Sequence, residues 1–420
     1  MLRVVSIIIS PLIIVATVFA ACANKKVPTA DTPKGEIFIG VLDDLTGPMS
    51  PQCSGRVDGI LDAIRYINKK RGGIEGYQLK AIVIDHKMDA SRITPGWDRL
   101  NAEKVPVVFS TLAMMVPVIV SMSDRDHIPI VTGAGDMDLL FPKEQSYYFA
   151  DAPQLMGVIQ SACMSIEKEW ARMGKKDPPK VVFDVISIGN LAKMGEKAAT
   201  MYAGSRGWEY LITRTPFAPA DVTTQVLQAK EFGGNYLHLS SIDASMIAWM
   251  KELDRQNFHP VVSGLSGLGS DEMWDAVGEL AAGARPNQRS VQWTETDVPM
   301  VRLMHELNAE WYPDKTWRPT HYCRGFALFL IVEEAIQRAL QNVDYENLNS
   351  ETLAKAMVTI SDFDPGIGVG YTWAPTDRQG LRGGRWYEWT GEGKQVPITD
   401  WEIFDPLPAE QKTNAWWLQD

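Results

Sequence analysis

Cysteine is scarce: four in 420 residues, at positions 22, 53, 163 and 323, and no C-x-x-C among them. With Cys22 set aside for reasons given below, three remain, which excludes a fully paired disulfide framework and selects no bridge. The six histidines, at 86, 127, 238, 259, 305 and 321, show no H-E-x-x-H or other ligand spacing, so no metal site is expected. There is no G-x-x-x-x-G-K-[ST], hence no P-loop. "GLSGLG" (Gly264–Gly269) and "GIGVG" (Gly366–Gly370) both miss G-x-G-x-x-G between a strand and a helix, so no cofactor is expected. "GLSGLG" also misses G-x-S-x-G, because Leu268 occupies the last glycine's place. No nucleophile–base pair is legible, and the chain does not read as an enzyme. Positive charge is short as well. Lys and Arg total 41 against 52 Asp and Glu, a net charge of −11, so no general attraction to nucleic acid or anionic lipid is expected. After Ala21 no apolar run approaches membrane-spanning length. The longest, inside "GFALFLIVEEAIQRAL", is interrupted by Glu333 and Glu334 and reads as a buried helix.

What is present begins with an address. Arg3 is the only charge before Cys22, and Val4 to Ala21 is almost wholly apolar. A positive start, an apolar middle and small residues at the end form a secretory signal. Eighteen helical residues would also span roughly 27 Å, so a retained anchor and an ordinary cleaved signal stay open. Ala20-Ala21-Cys22 resembles a bacterial lipobox, with Phe19 where leucine is more usual. Residues 1–21 are therefore expected to be removed and Cys22 lipidated. Residues 22–35, with Lys25, Lys26, Pro28 and Pro33 and no apolar period, suit a flexible tether. The expected location is the periplasm or the outer face of the cell membrane, with membrane contact only through the lipid.

The remaining chain is too long for one ordinary core and suits two domains. Strand and helix alternate. "EIFIGVLDDL", "YQLKAIVID", "VPVVFS" and "IPIVTG" are apolar without alternation, as in parallel sheets buried on both faces. Between the first two, Val57, Ile60, Ile64 and Ile67 mark the buried face of a helix that Ser54 is placed to cap and Gly72-Gly73 to end. After "YYFADAPQ" a second alternating set begins: "KVVFDVIS", "YLITRTPF", "NYLHLSS" and "HPVVSG". Helices near Val298–Trp311, His321–Gln341 and Ser350–Thr359 follow, then the aromatic pieces "YTWAP", "GRWYEWTG" and "WEIF". The expected fold class is α/β, two doubly wound parallel-sheet lobes. Ligands of such sheets bind beyond the carboxyl ends of the strands. Those ends, among them "LDDLTGPMSPQCS", "FSTLAMM", "VTGAGDMD", "LSSIDAS" and "SGLSGLGSDE", are rich in glycine and hydroxyls.

The segment "IFIGVLDDLTGPMSPQCSGRVDGILDAIRYINKKRGGIEGYQLKAIVID" resembles the opening of the periplasmic leucine/isoleucine/valine-binding proteins. The resemblance continues through "VVFSTLA", "IPIVTGAG", "YCRGFALFLIVEEAIQRAL" and "ISDFDPGIGVGYTWAPTDRQG", roughly residues 36–400. It implies a type I periplasmic binding protein fold with three crossovers, near Phe149–Ala152, Ala284–Gln292 and Trp373–Thr376. The first lobe would hold residues 36–149 and 286–373, the second 150–285 and 374–420. A monomer closing on a small-molecule solute and docking on an ABC permease is implied. Presentation of the solute to a membrane signalling receptor is the alternative, and gene neighbours would separate the two.

The resemblance also places the solute contacts. Thr46, Ser110, Thr111, Ala113, Met114, Gly133, Ala134 and Asp136 would line the first lobe, and Met194, Ser240, Ser241 and Ser266 the second. Amino-acid binders of the family hold the α-carboxylate with hydroxyls and backbone N–H, and the ammonium with an acid from the second lobe. Here Ala113 and Met114 replace serines, Asp136 stands near a threonine position, and Ser266 stands where the acid is usual. An unpartnered buried ammonium would be costly. The departures favour an aromatic or aliphatic carboxylate over a free amino acid, while Asp43, Asp44 and Asp243 remain candidates for the missing acid.

Overall fold

The structure, a computed structural model, describes residues 33–110, 116–133, 137–142, 145–153 and 155–403. The signal, Cys22 and most of the tether lie outside these residues, as do Thr111, Ala113, Met114, Ala134 and Asp136. Among the described residues no helix is long and apolar enough to cross a membrane.

The first lobe opens with β1 (Gly35–Asp43), α1 (Ser50–Arg71), β2 (Tyr77–Asp85), α2 (Ala90–Ala102), β3 (Val108–Phe109), α3 (Val116–Asp126), β4 (Ile130–Thr132), α4 (Met137–Leu140) and β5 (Tyr148–Ala150). Its five strands are all parallel, in the spatial order β2-β1-β3-β4-β5. The second lobe follows with α5 (Leu155–Arg172), β6 (Lys180–Ile186), α6 (Gly189–Gly204), β7 (Glu209–Thr215), α7 (Thr223–Phe232), β8 (Tyr236–Ser240), α8 (Asp243–Arg255), β9 (Val261–Gly264), α9 (Asp271–Val277) and β10 (Arg285–Gln288). The chain then returns to cover the first sheet with α10 (Pro299–Trp311), α11 (Thr320–Leu340) and α12 (Ser350–Met357).

The aromatic tail divides between the lobes. "YTWAP" enters a hairpin of β11 (Thr372–Ala374) and β12 (Asp377–Gly380) that packs on β5, with Trp373 Nε1 donating to the Ala150 carbonyl at 2.8 Å. The third crossing therefore falls after Gly380, later than the expected Trp373–Thr376. β13 (Gly383–Trp389) then joins the second sheet antiparallel to β10, followed by β14 (Gln395–Pro397) and β15 (Glu402–Ile403). The second sheet is thus parallel at its centre and antiparallel at one side.

Helix α1 begins four residues before Ser54, because Pro51 presets the first turn. Ser54 instead donates to the Leu45 carbonyl at 3.2 Å. Gly72 ends the helix in the left-handed conformation, φ 78°, its N–H reaching Ile67 O. The apolar stripe of α1 meets α11 at very short range. A Cβ on Gly59 would overlap the Tyr322 carbonyl, and one on Gly325 the Arg56 carbonyl. Only glycine lets the two backbones approach so closely. Gly325→Ala is expected to lower stability by about 1–3 kcal/mol through overpacking, read as a lower urea midpoint.

Cys53, Cys163 and Cys323 are buried thiols on α1, α5 and α11, with no disulfide between them. Asp184, on β6, is fully buried and accepts from Thr213 and Thr215 hydroxyls, both at 2.8 Å. Burial pushes its carboxyl up to about 6, partly offset by these donors. Because the folded value is raised, this group's contribution is full below the ordinary 3.8 and is lost as pH rises toward 6. The loss is on the order of 3 kcal/mol. Asp184→Asn should remove this part of the pH dependence between pH 4 and 6, measured by urea melts against the wild type.

Candidate functional site

The candidate site lies at the carboxyl ends of the two sheets. At the first sheet, the loop after β1 is braced internally. Asp44 accepts from Gly47 and Met49 N–H, and Asp85 from Leu45 N–H and from the Thr46 hydroxyl at 2.6 Å. Thr46 is exposed and its hydroxyl serves this turn. Ser110 follows β3, is 1% exposed, and its Oγ has no partner among the described residues. Gly133 follows β4 and offers its carbonyl to two arginines.

At the second sheet, Ser240 ends β8 and Ser241 follows it, both buried and with no partner for Oγ among the described residues. Ser266 begins a 3-10 turn and is half-buried. Met194 is fully buried in the core around Met156, Phe183 and Ala198. It packs the second lobe from α6, and Gly195 beside it lies close to Val185.

The centre of the site is cationic, and none of the residues responsible was among those expected. Arg56 (α1), Arg289 (just after β10) and Arg324 (α11) are each at most 9% exposed. Arg324 grips Asp151 with Nε at 2.8 Å and with Nη2, which also donates to Gly133 O at 2.9 Å. Arg289 Nη1 reaches the same carbonyl at 3.4 Å. Burial lowers the Arg56 pKa, with Arg324 adding to the effect and Asp151 and Asp43 opposing it. Burial first, then Arg324 and Arg56, brings Arg289 down to about 9. His321, one turn before Arg324, is held well below its ordinary value by burial and the three guanidinium groups, and so stays neutral. The α1–α11 crossing assembles this cluster. A signal for it was present: Arg56 extends the stripe Ile60, Ile64, Ile67, and Arg324 the stripe Leu328, Ile331, Ala335. A charge on a buried stripe needs a partner.

An acid sits on the second lobe's side. Asp243, at the start of α8, accepts from Gln52 Nε2 of α1 at 2.8 Å, and a Cβ on Gly267 would overlap its Oδ1. Burial raises its pKa, with Gln52 and Ser270 as opposing donors. Its carboxylate thus lies beside Ser266-Gly267. Met49 and Cys53 pack with Phe217 at the same junction. Among the described residues no group of His, Cys, Asp and Glu has the geometry of a metal site.

A family model described as periplasmic binding protein matches residues 36–394. The chain belongs to the periplasmic binding protein family. Two lobes, each built on a largely parallel sheet, are the type I form of that fold. The resemblance read from the opening strand, "LTGP" turn and helix is borne out. Among solved structures, a branched-chain amino acid ABC transporter protein from Thermus thermophilus with bound valine is 19% identical, at TM-score 0.76 over 88% of this chain and 97% of that one. A fatty acid ABC transporter substrate-binding protein from Thermomonospora curvata is 17% identical, at TM-score 0.75 over 89% and 93%. A leucine-binding protein from Thermotoga maritima is 13% identical, at TM-score 0.72 over 86% and 98%. No curated protein matches the sequence.

The Gln52–Asp243 bond joins the lobes directly. Gln52→Leu should cost the closed form about 1 kcal/mol and shift the ligand-free balance toward open about fivefold. Small-angle scattering would record a larger radius of gyration, and an unchanged radius would show that the bond does not hold the lobes together.

Proposed function

We propose that this periplasmic binding protein is the extracytoplasmic solute receptor of an ABC importer of the branched-chain amino acid type, and that its solute is an aromatic or aliphatic carboxylate. The observation that carries the reading is Arg289, a guanidinium whose pKa is lowered by burial and then by Arg324 and Arg56, and whose Nε has no partner among the described residues while Asp151 is taken by Arg324. An anionic solute is the ligand such a centre attracts. Ser110 from the first lobe and Ser240 and Ser241 from the second supply neutral donors on either side. The valine and fatty acid named for the similar structures are both carboxylates. Delivery to the permease follows from closure of the lobes, since a site between them is reachable only when they part. Cys22 would tether the receptor through its lipid.

A second reading rests on Asp243. Its carboxylate lies beside the position where amino-acid binders place their acid, so an α-ammonium would find a partner there. The readings separate in a thermal-shift screen of the full-length protein against branched-chain amino acids, aromatic carboxylates, fatty and dicarboxylic acids, and amides. A ligand at ~100 times its dissociation constant adds ~2.7 kcal/mol, a shift of several degrees. Stabilisation only by acids without an amino group is the expected result. Stabilisation by leucine, isoleucine or valine would install the second reading instead.

A further inference from the structure

The end of β10 and the crossover leaving it are rich in buried polar residues. Asn287, Gln288, Arg289, Ser290 and Gln292 are all 9% exposed or less. Gln288 is satisfied by Gly269 O and Gln395 Oε1. The Asn287 amide, Arg289 Nε, Ser290 Oγ and Gln292 Nε2 have no partner among the described residues. Buried polar atoms in native proteins are nearly always paired, and the exceptions call for a cause.

Arg289 and Arg324 are used differently. Arg324 commits its Nε–Nη2 edge to Asp151, the two-bond geometry that guanidinium and carboxylate share. The Nε on the same edge of Arg289 has no partner among the described residues, and its one described contact is the long Nη1 bond to Gly133 O. Its charge also stands against two like charges in a buried setting, which an arriving anion would relieve. Its position spans the site. The residue leaves the carboxyl end of β10 in the second sheet and touches the carboxyl end of β4 in the first. Ser110, with its own unpartnered Oγ, lies one strand over, its N–H on Val131 O.

We propose that Arg289 is the specificity-determining residue for the solute, its Nε–Nη2 edge gripping a carboxylate with the Ser110 hydroxyl as a second donor. The assignment rests on the carboxylate reading above. The grip is made by a residue of a crossover, so binding the anion and setting the angle between the lobes are one event.

The test uses the full-length protein, with benzoate, octanoate and succinate as probes and benzamide as the uncharged counterpart of benzoate. Calorimetry, ligand-free melting temperature and scattering are read for wild type, Arg289→Gln and Arg289→Lys. The expected pattern has four parts. A carboxylate binds wild type and compacts it, while benzamide does not bind. Arg289→Gln melts at or above the wild-type temperature without ligand, because it removes a repelled buried charge. It loses ~30-fold or more in affinity. Arg289→Lys, with charge but no fork, falls between. Binding by Arg289→Gln within threefold of wild type would overturn the assignment and leave the carboxylate reading standing. Lower ligand-free melting temperatures in both variants would mark Arg289 as a structural ion-pair partner and also overturn it. A wild type that no carboxylate stabilises would remove the carboxylate reading and the assignment together.

Discussion

The approach of α1 to α11 is the constraint on which the rest of the structure depends. With glycines at 59 and 325, each backbone lies against the other helix's carbonyls. That distance sets where Arg56 and Arg324 emerge, because each occupies the buried stripe of its helix beside the contact. The same helix carries Gln52 one turn earlier, toward Asp243 of the other lobe. One helix pair therefore fixes the centre of the site and one of the bonds between the lobes. It also roots both in the core under the first sheet, where Ile60, Ile64 and Ile67 meet Phe326, Phe329 and Ile336.

Burying three guanidinium groups near one another works against folding. Local rules that oppose a fold are retained mainly at functional sites. The protein limits the cost through Asp151 and the Gly133 carbonyl for Arg324, and through a neutral His321. The remaining imbalance is concentrated on Arg289. The second lobe presents the opposite character, with Asp243, Asp271 and Glu272 all raised by burial first. The interface between the lobes is thus polarised, cationic at the crossovers and acidic at the start of α8 and α9.

Much of the architecture was legible because it follows from period and punctuation. Unalternating apolar strands announced a parallel sheet, and Gly72-Gly73 marked a helix end that the φ of 78° explains. The final helices fell within a few residues of their observed bounds. The tail was less legible. β13 has the alternation and aromatics of a strand, but pairing antiparallel with β10 depends on a partner far away in sequence. The candidate site was legible at strand ends, where Ser110, Ser240 and Ser241 lie buried with hydroxyls that have no partner among the described residues. Met194, chosen by analogy of position, turned inward because α6 packs against β6. The arginines were not legible at the strand-end loops. They sit on helices and a crossover, and only the crossing of α1 with α11 brings them together.

The antiparallel side of the second sheet bears on the order in which the chain can become itself. β10 is synthesised with its outer edge unpaired, and its partner β13 comes only after three helices and a hairpin that belong to the other lobe. Trp389, the last residue of β13, and Gln395, which follows it, fasten Leu268 and Gly269. A chain interrupted before them leaves an open strand edge and a loosened turn at Leu268-Gly269, the kind of surface on which neighbouring chains pair. The second lobe, though it begins in the middle of the sequence, is the last to be finished, and a long-range closure of this kind is slow.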